Sequence, residues 1–274
     1  MQAKGKMGMK IGLTLVAFMF VVVGFGQKMP KISAHRGASK DAPENTLAAF
    51  RKAIELGADY LEVDVRTTAD GVQICMHDRS LKRTTGIDGD VRATSFETIR
   101  QASAGQWFGE AYGAEKVPTL EELCVLVNQS NHDLNKNVKL YVDCKDIDAG
   151  EVVRVLNKSQ MLDSAVFYGD VNVLKEINKF HTAARFMPAY PGAKKAKRLA
   201  HKLAVYAFDM NWDEIDTDDI KQCRQLKIKV FSDLLDKNDT PAEYQRAILL
   251  GIDLIQTDNV RAVQQALSDF EHQK

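Results

Sequence analysis

A closed (β/α)8 barrel is the fold the sequence predicts, and two observations predict it. From Lys31 onward, short β-branched runs alternate with longer stretches whose apolar residues recur three and four apart, the pattern of a mostly parallel sheet wrapped by helices. The number of such pairs comes close to eight within one chain of 274 residues, which suits a barrel in both size and count. A doubly wound open sheet is the alternative, but no glycine-rich phosphate loop of GxGxxG or GxxxxGKS/T type follows the first strand.

In chain order, the candidate strands are KISAH, YLEVDVR, VQICMHD, VKLYVDCK, AVFYGD, ARFMPAY, VYAFDMN, IKVFSDLL and DLIQTDN. The helical stretches between them are NTLAAFRKAIELG, TLEELCVLVNQ, AGEVVRVLNKSQM, NVLKEINKF, GAKKAKRLAHKL, DTDDIKQCRQLK and TPAEYQRAILLG, several opening on an Asn, Asp or Thr cap. Nine strands are one too many for the barrel. The surplus lies in YLEVDVRTTADGVQICMHD, where TTADG is too short for a crossover helix and reads as a hairpin turn on Asp70 and Gly71. Such a hairpin brings His77 back near Asp64. From Arg79 to Thr119 the rhythm lapses into Thr, Gly and Asp, with one helical patch, TSFETIRQASA. The aromatic residues Trp107, Phe108 and Tyr112 argue that this segment is an ordered insertion packed over one barrel mouth.

The composition, 45% hydrophobic and 27% charged, is that of an ordinary globular chain, and a formal net charge of zero gives no support to a nucleic-acid partner. The N-terminus differs. Lys4, Lys6 and Lys10 precede the uncharged run Ile11 to Gly26, which is short for a membrane span and reads as an export signal cut after Gly26. Cleavage would leave residues 27–274 as the mature barrel domain, acidic by three charges. A periplasmic location follows, with secretion or an uncleaved membrane anchor as alternatives, and no stable membrane insertion after cleavage. The basic stretch GAKKAKRLAHKL reads as an outer barrel helix with a solvated face, contact with anionic lipid being the alternative. Cys75, Cys124, Cys144 and Cys223 lack metal-ligand spacing and read as buried thiols, a Cys124 to Cys223 bridge being the alternative. No coiled-coil heptad defines an oligomer.

The chemistry lies on strands. Alternation in YLEVDV puts Glu62 and Asp64 on one face, and in LYVDCK it puts Asp143 and Lys145 on one face. If those faces point into a barrel, the carboxylates need a cation, and an all-oxygen donor set suits a hard divalent ion, Mg²⁺ or Ca²⁺, better than zinc. Singly, each acid reads as a salt-bridged residue and each histidine as a structural one. Jointly, His35 and His77 at strand ends supply a general acid and base near neutral pH. Arg36, beside His35, completes a set suited to phosphoryl transfer.

In order along the chain, HRG, PENT, ADYLEVDVRTTADGVQICMHD, LKRTTGIDGDV, WFG and VPTLEEL resemble the motif series of the glycerophosphodiester phosphodiesterase family, densely from His35 to about Lys145 and more weakly at GIDLIQTDNV. The resemblance implies a (β/α)8 barrel with a small insertion after the second histidine. It also implies metal-dependent hydrolysis of glycerophosphodiesters, a small-molecule substrate, to sn-glycerol 3-phosphate and an alcohol. On this pattern His35 and His77 are the acid/base pair, Glu62, Asp64 and Asp143 the ligands of Ca²⁺ or Mg²⁺, and Arg36 and Lys145 the phosphate contacts. Two departures stand out. Asp143 occupies a position usually held by Glu, shortening the carboxylate's reach by roughly 1.5 Å. Phe231 and Ser232 replace a Trp-Thr pair, which makes Phe231 the expected substrate-binding aromatic. A different diester, such as a lysophospholipid or glycerophosphoinositol, or a binding protein without turnover, are the alternative readings.

Overall fold

The computed structural model describes residues 28–272; the candidate export segment, Ile11 to Gly26, lies outside them. Strand β1 (Lys31–Ala34) leads through the HRG loop to helix α1 (Leu47–Glu55). Strands β2 (Tyr60–Thr67) and β3 (Gln73–Cys75) follow, then short helices α2 (Lys82–Thr85) and α3 (Phe96–Gln101). From there α4 (Leu120–Asp133), β4 (Lys139–Asp146), α5 (Ala149–Lys158), β5 (Val166–Tyr168), α6 (Val171–Phe180) and β6 (Arg185–Met187) alternate strictly. The alternation continues through α7 (Ala193–Leu203), β7 (Ala207–Met210), α8 (Thr217–Gln225), β8 (Lys229–Asp233), α9 (Pro241–Leu250), β9 (Leu254–Thr257) and α10 (Val260–His272). All nine expected strands form. Helix α10, absent from the sequence reading, covers the last strand.

The strands pair in the order β6-β5-β4-β2-β1-β9-β8-β7, with all pairs along this path parallel. Strands β6 and β7 meet through bridges at Phe186/Val205 and Ala189/Asp209, so the barrel of eight parallel strands is nearly closed. The surplus strand β3 is the antiparallel hairpin arm, with Val65 opposite Cys75. Gly71, at φ 87°, supplies the left-handed residue of that turn. The Met76 amide then donates to the Asp64 carbonyl at 2.9 Å, returning the following His77 to the end of β2.

Local chemistry sets the helix starts. Thr119 and Glu122 form a reciprocal capping box on α4, while Thr240 caps α9 ahead of Pro241 in its first turn. The outward strand residues Ile32, Leu61, Val63, Val142, Phe167, Phe186 and Ile255 share one core with the helices. Inside the barrel a separate apolar layer contains Tyr60, Tyr141, Val166, Met187, Ala207, Phe231 and Leu254. The insertion has its own small core of Ile74, Met76, Leu81, Val91, Ile99, Ala104 and Val117. All four cysteines are buried free thiols, which removes the Cys124 to Cys223 bridge. No helix among the described residues is long and apolar enough to cross a membrane.

Candidate active site

The C-terminal ends of the strands carry the titratable groups. The ladder between β1 and β9 extends to the His35 amide, which donates to Thr257 at 3.0 Å, and the ring that follows places Nδ1 2.8 Å from Asp258 Oδ1. Ser39 Oγ donates to the same oxygen at 3.0 Å. Burial alone would lift the Asp258 carboxyl, but the bond to and charge of His35, with Ser39 and Lys40, together outweigh it and hold the group below the usual carboxylate range.

Arg36 and Asn45 are non-glycine residues in the left-handed region, at φ 55° and 54°. Such backbone persists where surrounding bonds over-determine it, at a cost on the order of 1–3 kcal/mol each. The bonds are specific. The Arg36 amide donates to Glu62 Oε2 at 2.7 Å, and the Asn45 amide donates to the Arg36 carbonyl at 2.9 Å. Asn45 Nδ2 donates to Asp64 Oδ2 at 2.8 Å, so both strained residues orient a carboxylate. Gly37 is irreplaceable on space as well as on its φ of 83°: a Cβ there would lie 2.7 Å from the Ala49 carbonyl carbon.

Ligand-capable oxygens of Glu62, Asp64 and Asp143 lie within 4.8 Å of one another. Burial pushes the Glu62 carboxyl well above the usual range, with Asp64 and Asp143 adding to the shift; burial also raises Asp143, against the pull of Lys145. Lys145 Nζ sits 2.6 Å from Asp143 and 3.3 Å from Asp64, and its own pKa is raised because those carboxylates outweigh its desolvation. Arg36 Nε lies 3.3 Å from Asp64. Three crowded carboxylates, of which burial drives Glu62 and Asp143 toward protonation, offer only oxygen donors and fit a hard divalent cation. The shorter Asp143 still reaches the cluster.

Sequence reasoning points to Asp78 beside His77 but misses Glu44, Arg83, Asp209, Asp233 and Asp258. His77 Nδ1 is 2.7 Å from Asp78 Oδ1, and Arg83 grips Asp78 at 2.6 and 3.1 Å while also bonding both oxygens of Glu44. That grip, Arg83 first and His77 after it, holds the Asp78 carboxyl well below the usual range. Glu44 also accepts from Arg36 at 3.0 Å, so one ion-pair chain links the loops that carry the two histidines. With each Nδ1 engaged, Nε2 is the nitrogen left to exchange a proton. Asp209 and Asp233 face the interior from β7 and β8. Burial raises Asp209 to about 6 and Asp233 well above its usual value, each further raised by Asp143.

Phe231, the expected substrate-binding aromatic, lies deep in the barrel. It packs edge-on against Tyr60 and Tyr206, at 6.2 and 6.3 Å, in the apolar layer below the carboxylates. It is 2% exposed and stands away from the mouth, toward which Asp233, two residues on, carries the same strand face.

A barrel with this mouth is a phosphoric diester hydrolase. The chain belongs to the glycerophosphoryl diester phosphodiesterase family, whose model matches residues 35–262. A glycerophosphodiester phosphodiesterase of Caldanaerobacter subterraneus subsp. tengcongensis is 29% identical over 231 residues, 83% of this chain and 93% of that protein. One from Bacillus subtilis is 35% identical over 227 residues, 76% of this chain and 74% of that protein. Among solved structures, the Agrobacterium tumefaciens glycerophosphodiester phosphodiesterase is 25% identical, with a TM-score of 0.77 over 86% of this chain and all of that one (100%). A phosphodiesterase of Oleispira antarctica, solved with the product sn-glycerol-3-phosphate, shares the fold at a TM-score of 0.79 and 23% identity, over 88% of this chain and 97% of that one.

Proposed function

We propose that the chain hydrolyses glycerophosphodiesters to sn-glycerol 3-phosphate and an alcohol, with His35 and His77 exchanging the protons. The observation that carries this reading is the meeting, at one barrel mouth, of the Glu62, Asp64 and Asp143 carboxylates with the loops of two Nδ1-anchored imidazoles. Glu62, Asp64 and Asp143 are the residues to hold a divalent ion, Ca²⁺ or Mg²⁺. When bound, such an ion polarises phosphoryl oxygen and lowers the pKa of a hydroxyl or water.

The chain's own groups do the rest. One histidine takes the proton of the attacking hydroxyl or water at Nε2 as the new P–O bond forms. The other gives its proton to the alcohol oxygen as the ester P–O bond breaks. Asp258 and Asp78 fix the ring orientations and favour the imidazolium that forms in turn. Arg36 and Lys145, at the rim of the carboxylates, are placed to hold the phosphate's remaining charge. A coupled assay for glycerol 3-phosphate, with glycerophosphocholine and glycerophosphoethanolamine in the presence and absence of EDTA, tests the reading. Release that EDTA abolishes supports it; no release from any diester with metal present overturns it.

We further propose that residues 1–26 direct export to the periplasm and are removed. Mass spectrometry of the chain recovered from an exporting cell checks this, Gln27 being the expected N-terminus.

A further inference from the structure

The opposite end of the barrel has a different character. Cavities of about 640 and 380 Å³ open at the N-terminal ends of the strands and share Lys28 and Lys229. The smaller is lined by Lys28, Lys31, Lys136, Lys139 and Lys229 against a single acid, Asp59. Asp59 is already committed, to Lys31 at 2.7 Å and the Ile32 amide at 2.9 Å. Lys136 is tied to the Ile54 carbonyl. The remaining cations converge on two tyrosines. Lys229 Nζ donates to the Tyr206 hydroxyl at 2.7 Å, Arg185 stacks 5.2 Å from the Tyr206 ring centre, and Lys139 Nζ lies 5.9 Å from that of Tyr60. None of Lys139, Arg185 and Lys229 has a carboxylate partner among the described residues.

The hydrogen bonding points outward as well. The Tyr206 oxygen accepts from Lys229. Because that oxygen is the acceptor, the Tyr206 proton is left to donate elsewhere, beside ammonium and guanidinium groups with no carboxylate partner among the described residues. That set of donors matches the oxygens of a tetrahedral dianion. The size agrees: ligand pockets run from roughly 300 to 1,000 Å³, and this one stands near the lower end.

We propose that the barrel floor is a second anion site, taking inorganic phosphate or a small phosphate monoester between Lys139, Lys229 and Tyr206. The site is separate from the hydrolytic mouth and needs no turnover, so failure of the proposed hydrolysis leaves it standing.

Calorimetric titration of the full chain with inorganic phosphate, and separately with glycerol 3-phosphate, tests this against the Lys139→Gln/Lys229→Gln variant. The wild type is expected to show a binding component that weakens at least tenfold in the variant, while diester hydrolysis stays within twofold. Equal affinity and stoichiometry in the two proteins overturns the proposal. Should the double variant fail to fold, Lys139→Gln alone gives the same readout, because among the described residues its ammonium faces only the Tyr60 ring. A vesicle arm separates the sources of phosphate: sedimentation with phosphatidic acid vesicles that free phosphate fails to compete away overturns the small-anion assignment.

Discussion

The two ends of the barrel carry opposite excess charge. At the mouth Glu62, Asp64, Asp143, Asp209, Asp233 and Asp258 outnumber their cations, and Arg36 and Lys145 are each ion-paired. At the floor Lys139, Arg185 and Lys229 face tyrosines instead of acids. Alternation along the same strands produces both: β4 turns Lys139, Tyr141, Asp143 and Lys145 inward in sequence, and β8 turns Lys229, Phe231 and Asp233 inward. The aromatic and aliphatic layer between them separates the two charge sets with apolar material. An acidic end calls for a cation and a basic end for an anion, so the contrast is open to direct attack.

The largest expected effect comes from the imidazoles. His35→Asn or His77→Asn should lower kcat about 10²–10⁴-fold with the thermal transition unchanged, measured by product release and calorimetry. A loss below threefold would show that proton transfer does not depend on that ring. Next is Glu62→Gln, which should weaken Ca²⁺ or Mg²⁺ affinity in a calorimetric titration by at least tenfold. It should also raise melting temperature in EDTA, because it removes one of three crowded charges. The positioning residues come third: Asp258→Asn and Arg83→Met should each cost about 10–100-fold in kcat, the range typical of outer-shell partners. A structural role alone would lower the thermal transition and leave kcat in place, whereas loss of the Asp258 contact should lower kcat with KM and the thermal transition little changed.

The smallest effect is a pH dependence of stability. Asp209 is raised to about 6 by burial, so the native state binds more protons there than the unfolded chain between the ordinary aspartate range and that value. Its contribution is therefore present at low pH and lost as pH rises through about 6. Asp209→Asn, neutral throughout, should melt higher than wild type at pH 8, with the difference vanishing toward pH 4. A constant offset across that range would contradict the burial of an ionising carboxylate. Asp78 runs the other way: its lowered pKa gives stability above the ordinary aspartate range that is lost as pH falls below it.

Much of the mouth was legible because alternation assigns faces. ExD and DxK on β-branched runs place Glu62, Asp64, Asp143 and Lys145 without further information, and the length of TTADG excludes a crossover. Depth was not legible. Period 2 puts Phe231 and Asp233 on the same interior face but does not say which reaches the mouth, so the sequence carries no signal that singles out Asp233. Asp258 follows the same logic. It continues the Leu254, Gln256 face of β9, but its partner His35 is 223 residues away and no local spacing joins them. The ion-pair chain from Arg36 through Glu44 and Arg83 to Asp78 is likewise a property of two loops and the short helix α2 meeting, since nothing in any one of them requires the others.

The insertion between β3 and α4 keeps its own small apolar cluster and touches the rest of the molecule through a few polar fastenings. Among them are Tyr112 to the Asp41 carbonyl at 2.8 Å, Arg92 to Asp146 at 2.9 Å, Arg100 to Glu122 at 2.7 Å, and Arg83 to Glu44. It is thus a cassette. Natural divergence or laboratory grafting can rewrite the wall beside His77, so long as those clasps and the Arg83 hold on Asp78 survive, without disturbing the scaffold beneath.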